Sequence, residues 1–276
     1  MHIETRGSGA PLVLIHGFGV DHRILLPLDD AIAARGGWRR IYVDLPGMGR
    51  SPIGDIASAE DLVIELADTV RGAIGDEPFA LLGNSYGGML ARRLAHDFGE
   101  QVMGFATLAG VFVAKHGERT APPRTVLHED AAIFEGVPGA VADGYRGFAV
   151  WQSAAGLENF IETVQPGIEL VDQAGLERIA ENYAFEVEPE DQASVPFSKP
   201  ALFIAGRQDD VVGYTDAWRR LDHYPRGSFL VLDAAGHNII GEQLGLVAAA
   251  VGEWLDRVAA FRADAPNGPR DRPASA

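Results

Sequence analysis

Phe79-Ala80-Leu81-Leu82-Gly83-Asn84-Ser85-Tyr86-Gly87-Gly88-Met89-Leu90-Ala91 is the stretch on which the fold turns. Four apolar residues open it, a serine flanked by glycines stands at its centre, and residues 89–95 continue with helical periodicity. A G-x-S-x-G set between a strand and a helix describes a sharp turn that holds the serine hydroxyl out at the end of a sheet. Such a turn crowds its neighbours, and Gly83 and Gly87 remove the side chains that would collide. The helix that follows points its positive end at the serine. The plain alternative is a strand-to-helix turn in which Ser85 is only an N-cap.

Outward from that turn the rhythm repeats. Residues 12–16 and 40–45 are apolar runs expected as strands buried on both faces. Over residues 57–74, Leu62, Leu66, Ala67, Val70 and Ile74 recur on one face of a predicted helix. A strand at 79–83, a helix at 86–98 and a strand at 101–108 follow. Strand rhythm resumes at 200–206, then a helix around 215–222, a strand at 227–232 and a closing helix at 244–261. Short apolar strands alternating with helices predict an α/β fold with a mostly parallel central sheet covered on both faces. Between residues 111 and 198 strand-like runs vanish, and short amphipathic helices are expected near 141–151, 157–164 and 176–185. The expected organisation is a core at 1–110 and 199–261 with a helical cap at 111–198, inserted at the sheet end that carries Ser85. Residues 262–276 lack an apolar pattern and are expected as a disordered tail. No internal repeat is visible.

Composition narrows the function classes. The 276 residues carry a formal net charge of −16, with 47% hydrophobic and 22% charged residues. An acidic surface repels phosphate backbones and anionic lipid, so neither nucleic-acid nor membrane partners are expected. The absence of cysteine excludes disulfides, thiolate metal sites and a cysteine nucleophile. Met1-His2-Ile3-Glu4-Thr5-Arg6 does not open a signal peptide, and no apolar run approaches the ~18 residues of a membrane span. The expected setting is the cytoplasm and the expected partner a small-molecule substrate, with a homo-oligomer left open.

A serine hydroxyl is a poor nucleophile at neutral pH unless a base lies within hydrogen-bond reach and a carboxylate orients that base. Two later loops at strand ends supply candidates: Gly206-Arg207-Gln208-Asp209-Asp210 and Ala234-Ala235-Gly236-His237-Asn238. The order serine, then aspartate, then histidine is one of the known triad orders.

With these motifs in place, the chain resembles the α/β-hydrolase fold family, in particular its single-cap serine hydrolases, over about residues 2–261. His16-Gly17-Phe18-Gly19, Asp44-Leu45-Pro46-Gly47-Met48-Gly49-Arg50-Ser51, residues 83–88, residues 206–209 and Gly236-His237 carry the resemblance together. It implies Ser85 as nucleophile, His237 as general base and then acid, and Asp209 as orienting acid. Relatives usually place the acid three residues past the strand-ending glycine, which favours Asp209 over its neighbour Asp210. Some relatives carry the acid one strand earlier, where this chain reads Leu108-Ala109-Gly110-Val111-Phe112 and offers no carboxylate. The resemblance also implies an oxyanion hole built from the backbone N–H groups of Phe18 and Tyr86. His16 is read as a structural histidine bonded within its own loop, and Asp44 as structural. The other histidines lack ligand spacing, so no metal is expected, and no cofactor. Residues 46–51 contain glycines but match neither the P-loop nor the dinucleotide fingerprint.

A serine at the elbow sets the chain apart from haloalkane dehalogenases and epoxide hydrolases, which carry aspartate there. Gly83-Asn84-Ser85 also resembles the elbow of meta-cleavage-product hydrolases, which cut a carbon–carbon bond beside a ketone. Many of those enzymes carry tryptophan after the histidine, where this chain has Asn238. Phe148, Trp151, Phe160, Ile161, Tyr183 and Phe185 are the candidate apolar lining of the cap, and Arg146 is a candidate partner for a substrate carboxylate. The resulting expectation is a serine hydrolase of a small carboxylic ester or related carbonyl compound. A C–C hydrolase is the nearest alternative. Acyl transfer and a non-catalytic member that binds a small ligand are the others.

Overall fold

Seven strands set the frame: β1 (Ile3–Arg6), β2 (Ala10–Ile15), β3 (Trp38–Val43), β4 (Phe79–Asn84), β5 (Val102–Leu108), β6 (Ala201–Gly206) and β7 (Gly227–Leu232). The computed structural model describes residues 1–264. The strands lie in the order β1-β3-β2-β4-β5-β6-β7. Only β1 is antiparallel to its neighbour; β3, β2, β4, β5, β6 and β7 run parallel. Every residue of β2, β4, β5 and β6 is buried, as their largely apolar runs require. Parallel strands share one C-terminal edge. The loops after β2, β4, β6 and β7, with His16, Ser85, Asp209 and His237, therefore meet along a single rim. From β2 the chain order runs one way to β3 and the other way from β4 to β7, so Ser85 stands where the winding reverses.

The helices are α1 (Asp29–Ala33), α2 (Ala59–Ile74), α3 (Tyr86–Asp97), α4 (Gly139–Phe148), α5 (Ala154–Thr163), α6 (Gln165–Ile168), α7 (Gln173–Glu181), α8 (Pro189–Gln192), α9 (Thr215–Trp218) and α10 (Ile239–Asp264). α2 starts at Ala59 because the Ser58 side chain caps it, accepting from the Asp61 N–H, and it buries the face read from its periodicity. The helix expected over 215–222 stops after Trp218. The chain there turns to bring Tyr224 against Phe203 and Phe105, ring centroids 5.0 and 5.2 Å away. The closing helix begins earlier than expected, at Ile239, with a break at Gln243 (φ −132°, ψ 39°). It also runs on to Asp264, past the expected tail start at residue 262; the rest of that tail lies outside the described residues. Among the described residues no helix is long and apolar enough to cross a membrane.

Helices α4 to α8 all fall between β5 and β6, and this segment is fastened to the rest at several places. Asp172 N–H donates to the Gly47 carbonyl at 2.8 Å, and Ala59 N–H to the Asn182 carbonyl at 3.0 Å. The third fastening is buried. Arg92 on α3, wholly shielded from solvent, donates to Glu190 Oε1 at 2.7 Å, to Glu188 Oε2 at 2.9 Å and to the Val111 carbonyl at 2.9 Å. The Tyr224 hydroxyl also donates to Glu190. Burial alone would favour the neutral acid, but Arg92 and Tyr224 outweigh it and hold Glu190 down at about 2. The sign follows. Glu190 stabilises the fold fully above its ordinary 4.5, and that contribution is lost as pH falls from there through about 2. Arg92→Met leaves an uncompensated buried carboxylate, at a cost of about 3–5 kcal/mol. The expected result is a Tm lower by on the order of 10 °C at pH 7, shrinking as pH approaches 3, measured by calorimetry.

Candidate active site

Ser85 sits at the junction of β4 and α3 with φ 51° and ψ −116°, a left-handed conformation that a residue with a side chain rarely adopts. Backbone bonds hold it there. Its N–H donates to the Leu108 carbonyl at 2.9 Å, and its carbonyl accepts from Gly88 and Val111, both at 3.0 Å. The flanking glycines are steric necessities. A Cβ on Gly83 would lie 2.2 Å from the Gly87 carbonyl oxygen, and one on Gly87 would lie 2.3 Å from that of Ile15. The Ser85 side chain makes no capping bond to its helix, which removes the N-cap alternative.

The hydroxyl is engaged elsewhere. Ser85 Oγ lies 2.8 Å from His237 Nε2, and His237 Nδ1 lies 3.0 Å from Asp209 Oδ2. Asp209 is fully buried, and its second oxygen accepts from the Val211 and Val212 N–H groups at 2.9 and 3.0 Å. Burial opposes its charge, but His237 and these two amides prevail and keep its pKa below the ordinary carboxylate value. An ionised Asp209 only accepts, so the imidazole proton sits on Nδ1. Nε2 is left as acceptor for the serine proton. Asp210 points away and pairs with Arg124 at 3.6 Å.

The loop after β2 walls the other side of Ser85. Gly17 approaches so closely that a Cβ there would be 3.1 Å from Ser85 Cβ and 3.6 Å from Ser85 Oγ. His16 fixes this loop from beneath: Nδ1 donates to the Gly17 carbonyl at 2.7 Å, and Nε2 accepts from the Leu45 N–H at 2.9 Å. Burial lowers the His16 pKa, which keeps that pattern of one donor and one acceptor. Phe18 follows, its ring edge-on to Tyr86 at 5.4 Å and to Tyr183 at 5.5 Å. Tyr86 occupies the first position of α3, where a helix leaves its N–H without an intrahelical partner.

The other expected residues divide. Phe148 approaches the His237 ring edge-on at 6.5 Å, and Tyr183 packs tilted against Tyr86 with centroids 4.3 Å apart. Tyr183 also lines a cavity of about 800 Å³ together with Arg119, Lys115, His116 and Glu60. Phe160 and Phe185 are buried packing residues, and Ile161 is exposed. Arg146 and Trp151 are not brought to the serine. Arg146 pairs with Asp143 at 3.1 Å and lies over the Phe134 ring. The Trp151 indole is 44% exposed and stacks on His128. Both side chains are thus taken up within the insertion itself.

Two residues beside the triad make bonds the sequence reading did not foresee: Asn84, read there only as part of the elbow motif, and Glu242, not singled out at all. Asn84 Nδ2 donates to the Leu108 carbonyl at 3.0 Å, tying the ends of β4 and β5 beside the serine. Glu242 binds backbone N–H groups next to His237. Neither bond has a sequence signature, because each partner is a main-chain group. Asp21, His22 and Asp44 also gather, with possible metal-ligating atoms within 4.8 Å of one another. Those atoms are already committed to the protein: Asp44 accepts from the His22 ring and from the Arg50 N–H, and Arg23 grips Asp21. Burial opposes the Asp44 charge, but these donors overcome it and hold the pKa well below the carboxylate range.

Comparison with known proteins supplies independent findings. A family model described as the alpha/beta hydrolase family matches residues 12–250. The pimeloyl-[acyl-carrier protein] methyl ester esterase of Aeromonas hydrophila subsp. hydrophila is 30% identical over 247 residues, 85% of this chain and 91% of that protein. Its counterpart in Shewanella woodyi is 31% identical over 166 residues, and the matched stretch spans only 60% of that relative's length. Among solved structures, an alpha/beta superfamily hydrolase from Oenococcus oeni PSU-1 superposes with a TM-score of 0.86 at 24% identity, covering 93% of this chain and 96% of that one. A thermophilic esterase from Thermogutta terrifontis superposes with a TM-score of 0.68 at 22% identity, covering 93% of both chains.

Proposed function

The chain belongs to the alpha/beta hydrolase family, and from that premise we propose that it is a carboxylesterase-type serine hydrolase with Ser85, His237 and Asp209 as its triad. The observation that carries this reading is the unbroken line of hydrogen bonds from buried Asp209 through His237 to Ser85 Oγ. In this mechanism Ser85 Oγ attacks the ester carbonyl while Nε2 takes its proton. The carbonyl oxygen becomes an oxyanion, facing the backbone N–H groups of Tyr86 and Phe18. Each such donor contributes about 2.7–4 kcal/mol in a well-characterised case. Collapse of the intermediate expels the alcohol, protonated by His237, and leaves an acyl-serine. Water, deprotonated by the same imidazole, then releases the acid and restores Ser85.

Residues 111–198 serve in this reading as the cap over the site. The aromatic wall of Phe18, Tyr86 and Tyr183 stands beside the oxyanion donors. The cap carries five Lys and Arg against fifteen Asp and Glu, a formal net charge of −10. Three of those cations are already paired: Lys115 with Glu118, Arg124 with Asp210 and Arg146 with Asp143. A macromolecular carrier with an anionic docking face would be repelled by this surface. The substrate class we assign is therefore a small free carboxylic ester, in contrast to the carrier-bound ester in the names of the relatives.

The test pairs a fluorophosphonate probe with a panel of simple esters, lactones, ring-fission dienoates and a carrier-bound methyl ester. The expected outcome is one labelled residue, Ser85, and turnover confined to the small esters. Folded protein that takes no label would point to a ligand-binding member of the family instead. Preference for the dienoates would move the assignment to C–C hydrolysis, and preference for the carrier-bound ester would overturn the substrate class.

A further inference from the structure

Glu242 is the carboxylate beside the site that the triad leaves unused. It ends the short first turn of α10, just before the break at Gln243. Its two oxygens serve three main-chain donors. Oε2 accepts from the Gly236 N–H at 2.7 Å; Oε1 accepts from the Trp151 N–H at 3.1 Å and, at closer range, from the Val150 N–H. Among the described residues no cation forms a salt bridge with it; burial raises its pKa above the ordinary glutamate value, and the three amides together with the more distant charge of Arg124 work against that rise.

The donors come from two separate places. Gly236 immediately precedes His237 in the loop after β7. Val150 and Trp151 follow α4 in the inserted segment. The two backbones press together here: a Cβ on Gly236 would come within 2.6 Å of Val150 Cγ2. Val150 is fully buried, and two residues before it Phe148 approaches the imidazole edge-on. Arg124 grips the same stretch from another direction, donating to the Arg146 and Ala149 carbonyls at 2.8 Å. Gln243 steadies the His237 loop from below through its bond to the Asp233 carbonyl at 2.9 Å. A carboxylate has acceptor capacity on both oxygens and can bridge two sets of donors. A glutamine of the same shape has one acceptor oxygen, and its NH₂ would confront N–H groups on the other side.

We propose that Glu242 is a positioning residue that clamps residues 150–151 of the insertion to the His237 loop, so that the imidazole is held in register with Ser85 only while the insertion is seated. The proposal rests on His237 being the base of the reaction described above. It is tested with Glu242→Gln and Glu242→Ala in the full chain, by amide hydrogen exchange at Val150, Trp151 and Gly236 and by steady-state kinetics on p-nitrophenyl butyrate.

Expected in Glu242→Gln is exchange faster by roughly tenfold or more at amides on both sides of the clamp. A kcat lowered by about 10–100-fold with KM nearly unchanged should accompany it, because a displaced base weakens the transition state more than substrate binding. Glu242→Ala should show at least as large an effect. Unchanged exchange at Gly236, or an unchanged kcat in folded variants whose amides do open, overturns the proposal. A lower Tm with normal kcat overturns it too, since that is the mark of a purely structural residue. If the unaltered protein hydrolyses no ester, the catalytic reading fails. The exchange measurement then decides the clamp alone, with opening on both sides supporting it and protection on either side refuting it.

Discussion

Ser85→Ala should lower kcat toward p-nitrophenyl butyrate by on the order of 10⁶-fold, with little change in far-ultraviolet circular dichroism or Tm. The size follows from what is lost. Without Oγ no acyl-serine forms, and His237, held by Asp209, has no serine proton to take. What remains is binding and the oxyanion donors acting on bulk water. The fold is spared because Ser85 is held through its main chain, by bonds to Leu108, Gly88 and Val111 that alanine retains. The left-handed φ of 51° is equally awkward for serine and alanine, so the strain does not change. Turnover equal to the unaltered protein would remove Ser85 from its assigned role.

Asp209→Asn is the second large effect, a loss of about 10⁴-fold in kcat, set against a change of only a few-fold for Asp210→Asn. An amide at 209 can turn its NH₂ toward His237 Nδ1. The ring proton then moves to Nε2, the nitrogen that must accept from the serine. Asparagine would still offer one oxygen to Val211 or Val212, so the loop should keep its shape. Asp210 is a quarter exposed and faces Arg124 at 3.6 Å, an arrangement whose removal is cheap. Measuring kcat for both variants on one ester settles the matter, and the reverse ranking would exchange their roles.

The contrast between these neighbours marks how far the chain could be read unaided. β2, β4, β5 and β6 were legible because a strand buried on both faces must be apolar along nearly its whole length. β1 was not: Ile-Glu-Thr-Arg is half exposed and becomes a strand only by pairing antiparallel with β3. The glycines at 83 and 87 announced the elbow because steric exclusion leaves a mark on residue type. Asp209 and Asp210 are identical residues in one turn, and family habit had to choose between them. Which one faces His237 depends on the direction of each side chain in that turn. Arg146 and Trp151 were chosen for chemistry alone, yet Asp143 and His128 claim them. Glu242 was invisible because an amide donor exists at every position but proline, so no pattern in the sequence points to the ones it binds.

The bonds joining Asp172 to Gly47, Asn182 to Ala59, and Glu188 and Glu190 to Arg92 have a joint consequence for how the inserted segment comes away. A segment riveted along several seams does not swing like a door. Such a scaffold has no loosely latched stage to pass through on heating. Its turnover and its compactness should vanish within the same few degrees.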